Sequence, residues 1–265
     1  MATGVEDPSR AQVGSKTLRQ DRWWLYPLQI GVILAFFVVY ATVRIFMRDY
    51  YWADAEHYLT PLYSPCLSDS CVPGSAHLGT PLPELPFFIP LPFITFFVLA
   101  GFRGTCYYYR KAGYRSFFFA PAACAVPEPH KTYTGEAKFP LNLLNYHRYF
   151  FYGALLFVLL NVYDGLLAFQ GPDGGFGMGL GTLIMWVNIA MLFAYTLSCH
   201  ACRHIVGGRL RSFSKHPIRY RYWTWVSRLN AKHGTYAMIS LFTVILTDAY
   251  IMAISAGWFD DPRFF

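Results

Sequence analysis

The sequence predicts an all-α, polytopic membrane protein with five transmembrane helices in a bundle, and three observations predict it. Only 14% of the 265 residues are charged, against 55% hydrophobic and 19% aromatic; soluble domains carry roughly 25% charged residues. Five apolar stretches each approach or exceed the length needed to cross ~30 Å of hydrocarbon at ~1.5 Å per helical residue. The formal charge of +7 is concentrated in alternate loops. That is the pattern that orients membrane proteins and not the patch of a nucleic-acid binder.

Residues 1–24 are polar and are expected to form a cytoplasmic arm, with 25–265 as the transmembrane domain. No cleavable signal peptide is expected, because the first apolar run is itself long enough to span. Trp23, Trp24 and Tyr26 suit an interfacial belt at the start of the first span, about 25–43. Arg44 and Arg48 follow it. The loop from Asp49 to Glu84 holds acids but no Lys or Arg. The second span, about 87–106, opens with Pro90 and Pro92, tolerated in a first turn, and is expected to continue towards Tyr109.

Between Arg103 and Arg148 the chain is basic and aromatic, and its prolines at 121, 127, 129 and 140 argue against one continuous helix. Spans of about 146–169 and 180–204 flank the turn Gln170-Gly171-Pro172-Asp173-Gly174-Gly175. Residues 203–232 then carry eight Lys or Arg and no acid, ahead of a fifth span at about 233–256. Five spans put both basic loops on one side, which the positive-inside rule makes cytoplasmic. The expected topology is a bacterial plasma-membrane protein with its N-terminus inside and its C-terminus outside.

That topology sorts the six cysteines. Cys66 and Cys71 fall outside, where oxidising conditions favour a disulfide. Cys106, Cys124, Cys199 and Cys202 fall on the reducing side, where thiolate ligation becomes the live alternative. Most histidines are also inner, and His147, His204 and His233 sit at span ends, where side chains from separate helices share a depth. Any one of them taken alone reads more simply as an interfacial residue.

The densest chemistry is Ser198-Cys199-His200-Ala201-Cys202-Arg203-His204, at the mouth of the fourth span. Thiolate and imidazole are the ligands of soft transition metals and iron–sulfur clusters. On one helix Cys199 and Cys202 lie ~60° apart, while His200 and His204 lie ~40° apart on another face. One centre therefore needs ligands from a second segment. Arg203 separates Cys202 from His204, so the C-x-x-C-H of a c-type haem is excluded.

With these motifs in view, the chain resembles a known family. Gly104-Thr105-Cys106-Tyr107-Tyr108-Tyr109-Arg110-Lys111, Pro121-Ala122-Ala123-Cys124-Ala125-Val126 and the 198–204 motif, with His147-Arg148-Tyr149-Phe150-Phe151 and Ser214-Lys215-His216-Pro217, carry the likeness. They resemble the single-chain membrane anchor of mycobacterial-type succinate dehydrogenase. The resemblance implies a membrane-embedded Rieske-type 2Fe–2S cluster fed by a flavoprotein subunit through an iron–sulfur subunit, with quinone as electron acceptor. A Rieske centre takes two thiolates and two imidazoles, and spacing alone does not choose them. The preferred set is Cys199 and Cys202 with His147 and His233. The alternative is Cys106 and Cys124 with His200 and His204, and mixed sets stay open.

Other readings remain beside this one. A b-type haem would use two histidines such as His147 and His204. Asp164 and Asp248, acids within spans, would mark a proton path for quinone chemistry or a small transporter, although five spans without internal repeat argue against transport. A purely structural anchor needs no ligands at all. The cluster from Tyr220 to Trp225 reads as an interfacial belt or the lining of a quinone pocket. The basic inner loops suit anionic lipid, the iron–sulfur partner, or both. A higher oligomer of the whole complex stays open.

Overall fold

The computed structural model describes residues 21–124, 126, 136–139, 141–171 and 174–265. Most of the expected N-terminal arm, and His130 with the prolines beside it, lie outside the described residues. Apolar runs become the long helices. They are α1 (Leu25–Met47), α4 (His147–Leu167, led in by a 3-10 turn at Leu141–Tyr146), α5 (Leu180–Leu197) and α8 (His233–Ser255). All four are long and apolar enough to cross a membrane, and α2 (Phe93–Thr105) is a shorter apolar helix. Three polar helices, α3 (Tyr107–Phe117), α6 (His200–Gly207) and α7 (Pro217–Asn230), join them. The molecule is an all-α membrane bundle.

Two helix limits differ from the sequence expectation for a physical reason. Pro90 and Pro92 hold residues 87–92 in turns, and Pro92 caps the N-terminus of α2, so that helix begins only at Phe93. The fourth apolar stretch does not run on to His204. It ends at Leu197, where the Ser198 hydroxyl donates to the Tyr195 carbonyl at 2.9 Å, and Cys199 turns extended (φ −64°, ψ 147°) before α6 starts. The second span breaks in the same way: Cys106 is extended (φ −65°, ψ 127°) between α2 and α3. Hydroxyl side chains that bond back to their own helix compete with its ladder and favour such ends.

Packing follows the small residues. α5 and α8 lie side by side, α4 sits between α2 and α5, and α1 leans on α3. A methyl group at Gly101 would run into the Phe150 ring, and one at Gly153 into Val98, so α2 and α4 approach closely only with glycine there. The outer faces stay apolar, as at Val32, Phe36 and Val39 of α1, which suits lipid.

The ends of the bundle have different characters. At one end residues 49–92 fold over the helix tips. They include a short hairpin pairing Trp52 with Leu59 and Ala53 with Tyr58, and the Cys66–Cys71 disulfide, whose Cα atoms are 6.1 Å apart. Tyr51 and Tyr63 stack with ring centroids 4.2 Å apart. The C-terminal tail docks at the same end. Asp261 accepts from Tyr58 Oη (2.8 Å), Tyr250 Oη (2.7 Å) and the Gly181 amide at the start of α5 (2.9 Å). A carboxylate at a helix N-terminus satisfies amides that the helix itself leaves free. The other end is where the cysteines and histidines meet.

Candidate metal centre

Four helix ends supply four side chains. Cys106 follows the last residue of α2, and Cys199 lies just past the end of α5. His147 is the first residue of α4, and His233 the first of α8. Antiparallel packing puts all four at one level. His147 Nε2 lies 2.9 Å from Cys199 Sγ, and His233 Nε2 lies 3.4 Å from Cys106 Sγ. Each contact crosses from one helix pair to the other: α4 reaches the end of α5, and α8 the end of α2.

The rings are held from behind. The Thr105 hydroxyl sits 2.8 Å from His147 Nδ1, and the Ser198 hydroxyl 2.8 Å from His233 Nδ1. Phe102 stacks on the His147 ring at 4.9 Å and 4°, and Tyr195 on the His233 ring at 5.2 Å and 17°. Cys106 and Cys199 are almost fully buried, at 2% and 1% exposure. Asn230, the last residue of α7, donates to the Ser198 carbonyl at 2.7 Å and ties the end of α7 to the end of α5.

The sequence-predicted residues divide accordingly. Three of the preferred set, Cys199, His147 and His233, come together, and Cys106 from the alternative set joins them. Cys202 is buried in the same apolar cluster, yet among the described residues no hydrogen bond joins it to either imidazole. His200 and His204 are exposed on α6, and Cys124 is exposed in its loop. The break at Ser198–Cys199 carries α6 off the line of α5 and leaves His200 and His204 on its exposed face. Among the described residues no three His, Cys, Asp or Glu side chains close on one ion position; the four groups meet as two sulfur–imidazole pairs.

Sequence reasoning passed over the residues that brace the centre. Phe102-x-x-Thr105-Cys106 and Tyr195-x-x-Ser198-Cys199 share one pattern, aromatic-x-x-hydroxyl-cysteine. That repetition was the available signal.

A cation and a cavity adjoin the site. The Arg103 guanidinium lies over the Tyr195 ring at 4.9 Å and over Tyr109 at 5.5 Å. It donates to the Tyr109 hydroxyl, to Ser240 Oγ at 3.2 Å and to the Ala237 carbonyl at 3.4 Å. The Tyr109 hydroxyl in turn donates to the Ala237 carbonyl. Arg103, Tyr109 and Tyr195 form one polar margin of a cavity of about 430 Å³, lined mostly by apolar residues such as Phe37, Leu99 and Leu241, with Thr42, Thr95, Asn161 and Thr196 among them.

The two acids within the spans, Asp164 and Asp248, lie at the opposite end. Asp248 is bound bidentately by Arg44, with Nε–Oδ2 at 2.7 Å and Nη2–Oδ1 at 3.2 Å, and accepts from Tyr40 Oη at 2.6 Å. Asp164 bonds Ser64 Oγ and, at 2.7 Å, His77 Nδ1. Asp164 lies about 25 Å along α4 from His147. Tyr220, Tyr222 and Trp225 are exposed on α7, outside the cavity.

The family described as "Actinobacterial succinate dehydrogenase subunit SdhC" matches residues 25–257. A chain of the solved Mycobacterium smegmatis Sdh1 complex in the apo form is 56% identical and superposes with a TM-score of 0.91, each chain covering 100% of the other. No curated protein matches significantly.

Proposed function

The chain belongs to the actinobacterial succinate dehydrogenase subunit SdhC family, and from that premise we propose that it holds a Rieske-type 2Fe–2S cluster on Cys106, Cys199, His147 and His233. One observation carries the reading: two buried thiols and two imidazoles from four helix ends converge at a single depth. The donors fit the group in number and kind, two sulfur and two nitrogen. The two thiols lie in a buried apolar cluster, with the half-buried imidazoles at its margin.

When bound, such a cluster supplies one-electron transfer between the iron–sulfur subunit and membrane quinone. The residues of this chain do the rest. Helix-borne ligands whose rings are stacked and hydrogen-bonded keep their geometry through a redox change. The cavity beside Arg103 and Tyr109 accommodates the quinone: its apolar walls suit an isoprenoid tail, and the guanidinium and phenol offer donors to a carbonyl oxygen. The basic loops at this end would face the cytoplasm, leaving the disulfide end and the C-terminus outside. They would also meet the iron–sulfur subunit there, with the flavoprotein beyond it. Asp248, locked to Arg44 and Tyr40, serves as a structural ion pair in this reading and not as a proton carrier.

The test is low-temperature EPR with iron and acid-labile sulfide analysis of the purified complex. A reduced 2Fe–2S signal that disappears in C106A, C199A, H147A and H233A is the expected result. A sharp haem Soret band with no labile sulfide beyond the partner subunit's would instead establish the rival b-haem anchor.

A further inference from the structure

We infer that Thr105 and Ser198 are matched positioning residues, which fix the two imidazoles as Nδ1–H tautomers and so present Nε2 as the ligating atom. The inference rests on the cluster reading above and adds to it which ring nitrogen bonds and what selects it.

The argument is one of proton counting. A hydroxyl has a single proton to donate. Thr105 Oγ1 donates it to the Gly101 carbonyl at 2.6 Å, and Ser198 Oγ donates it to the Tyr195 carbonyl at 2.9 Å. A carbonyl oxygen only accepts, so both protons are committed. Each hydroxyl therefore meets its histidine, 2.8 Å away in both cases, with a lone pair. The ring nitrogen facing it, Nδ1, must be the donor. In a neutral imidazole the other nitrogen then carries the free lone pair. That atom is Nε2, and in both rings it is the one turned to sulfur, His147 towards Cys199 and His233 towards Cys106.

The two halves of the site are built alike. In each, an apolar helix ends in an aromatic-x-x-hydroxyl-cysteine run, the cysteine is extended, and the aromatic ring stacks on the histidine that the hydroxyl holds. Thr105 holds a ring that faces Cys199, while Ser198 holds a ring that faces Cys106. Each cysteine's own neighbour thus orients the imidazole that meets the other cysteine. Partners of this kind fix both the tautomer and the ring orientation of a metal ligand.

The experiment uses the whole purified complex with T105V, S198A and the conservative T105S. Three quantities are read: iron and sulfide content, the midpoint potential of the cluster, and the pulsed-EPR coupling to the distal imidazole nitrogen. T105V and S198A are expected to shift the potential and alter that coupling, or to lower cluster occupancy several-fold, while T105S stays at wild type. Wild-type potentials and couplings in both T105V and S198A would overturn the inference, as would equal loss of cluster in T105V and T105S. A wild-type complex with no cluster signal would sink the cluster reading alone. The tautomers are then read by nitrogen NMR of the 15N-histidine-labelled complex, with resonances assigned through H147A and H233A; protonation at Nε2 in either ring overturns the clamp.

Discussion

His147 Nε2 rests 2.9 Å from Cys199 Sγ, although 52 residues separate them in the chain. One opens α4 and the other lies just past the end of α5, so the contact exists only if those helices pack antiparallel and in this register. The same holds for Cys106 and His233, separated by 127 residues. The centre is therefore a property of the bundle, not of any motif.

Ligand identity gives the sharpest contrast. Alanine at Cys106, Cys199, His147 or His233 should abolish the cluster signal. Alanine at Cys124, His200 or His204 should leave it within about a factor of two, since those side chains are exposed. C202A, which removes a buried thiol that bonds neither imidazole, should keep the signal while lowering thermal stability. Iron and sulfide per complex, measured across the series, check all three statements.

Replacing Arg103 tests the cavity. R103Q removes a charged donor from the cavity margin, a hydrogen bond of roughly 1.5–3 kcal/mol. Roughly a ten- to hundred-fold rise in KM for a soluble quinone is expected, with the cluster signal retained. Steady-state kinetics with artificial and quinone acceptors in parallel will separate quinone binding from electron supply.

The Arg44–Asp248 pair should behave as a buried couple. Their side chains are 3% and 0% exposed, so D248A strands a charge and should cost about 3–5 kcal/mol. The double change R44M/D248L removes both charges and should recover most of that loss. Midpoints of thermal unfolding in detergent give the comparison.

Glu56 provides a pH test outside the membrane. Burial, then the nearby Asp261, raises its carboxyl above the usual range. A raised acid binds its proton more tightly in the folded chain, so its stabilising contribution is present at low pH and is lost as pH rises through the folded value. E56Q should therefore raise the unfolding midpoint at pH 7 and leave it unchanged at pH 4. Equal effects at both pH values would disprove the assignment.

The helices were largely legible, because apolar runs bounded by basic loops leave little choice in a bilayer. Pro90 and Pro92 mark the approach to the second span, and the turns they impose delay its helix to Phe93. The break after Leu197 was hidden, since no proline or glycine marks it; a serine hydroxyl bonding back to Tyr195 does. On one continuous helix Cys199 and Cys202 would lie near each other, and nothing in the sequence ranks Cys106 ahead of Cys202. What selects it is which helix ends become neighbours, and pairwise packing of that kind is carried by Gly101 against Phe150 and Gly153 against Val98, signals too diffuse to read from one chain.

The shortness of α2 has its own consequence. Thirteen residues reach about 20 Å, some 10 Å less than the fatty layer they stand in. Lipid beside this wall has to pinch inwards or let its headgroups sink. Phe87 and Phe88, 79% and 76% exposed just before the helix, would ride in that dimple. Since Phe96, Leu99 and Ala100 of the same wall border the cavity, an amphiphile drifting along the leaflet meets its doorway where the barrier is thinnest.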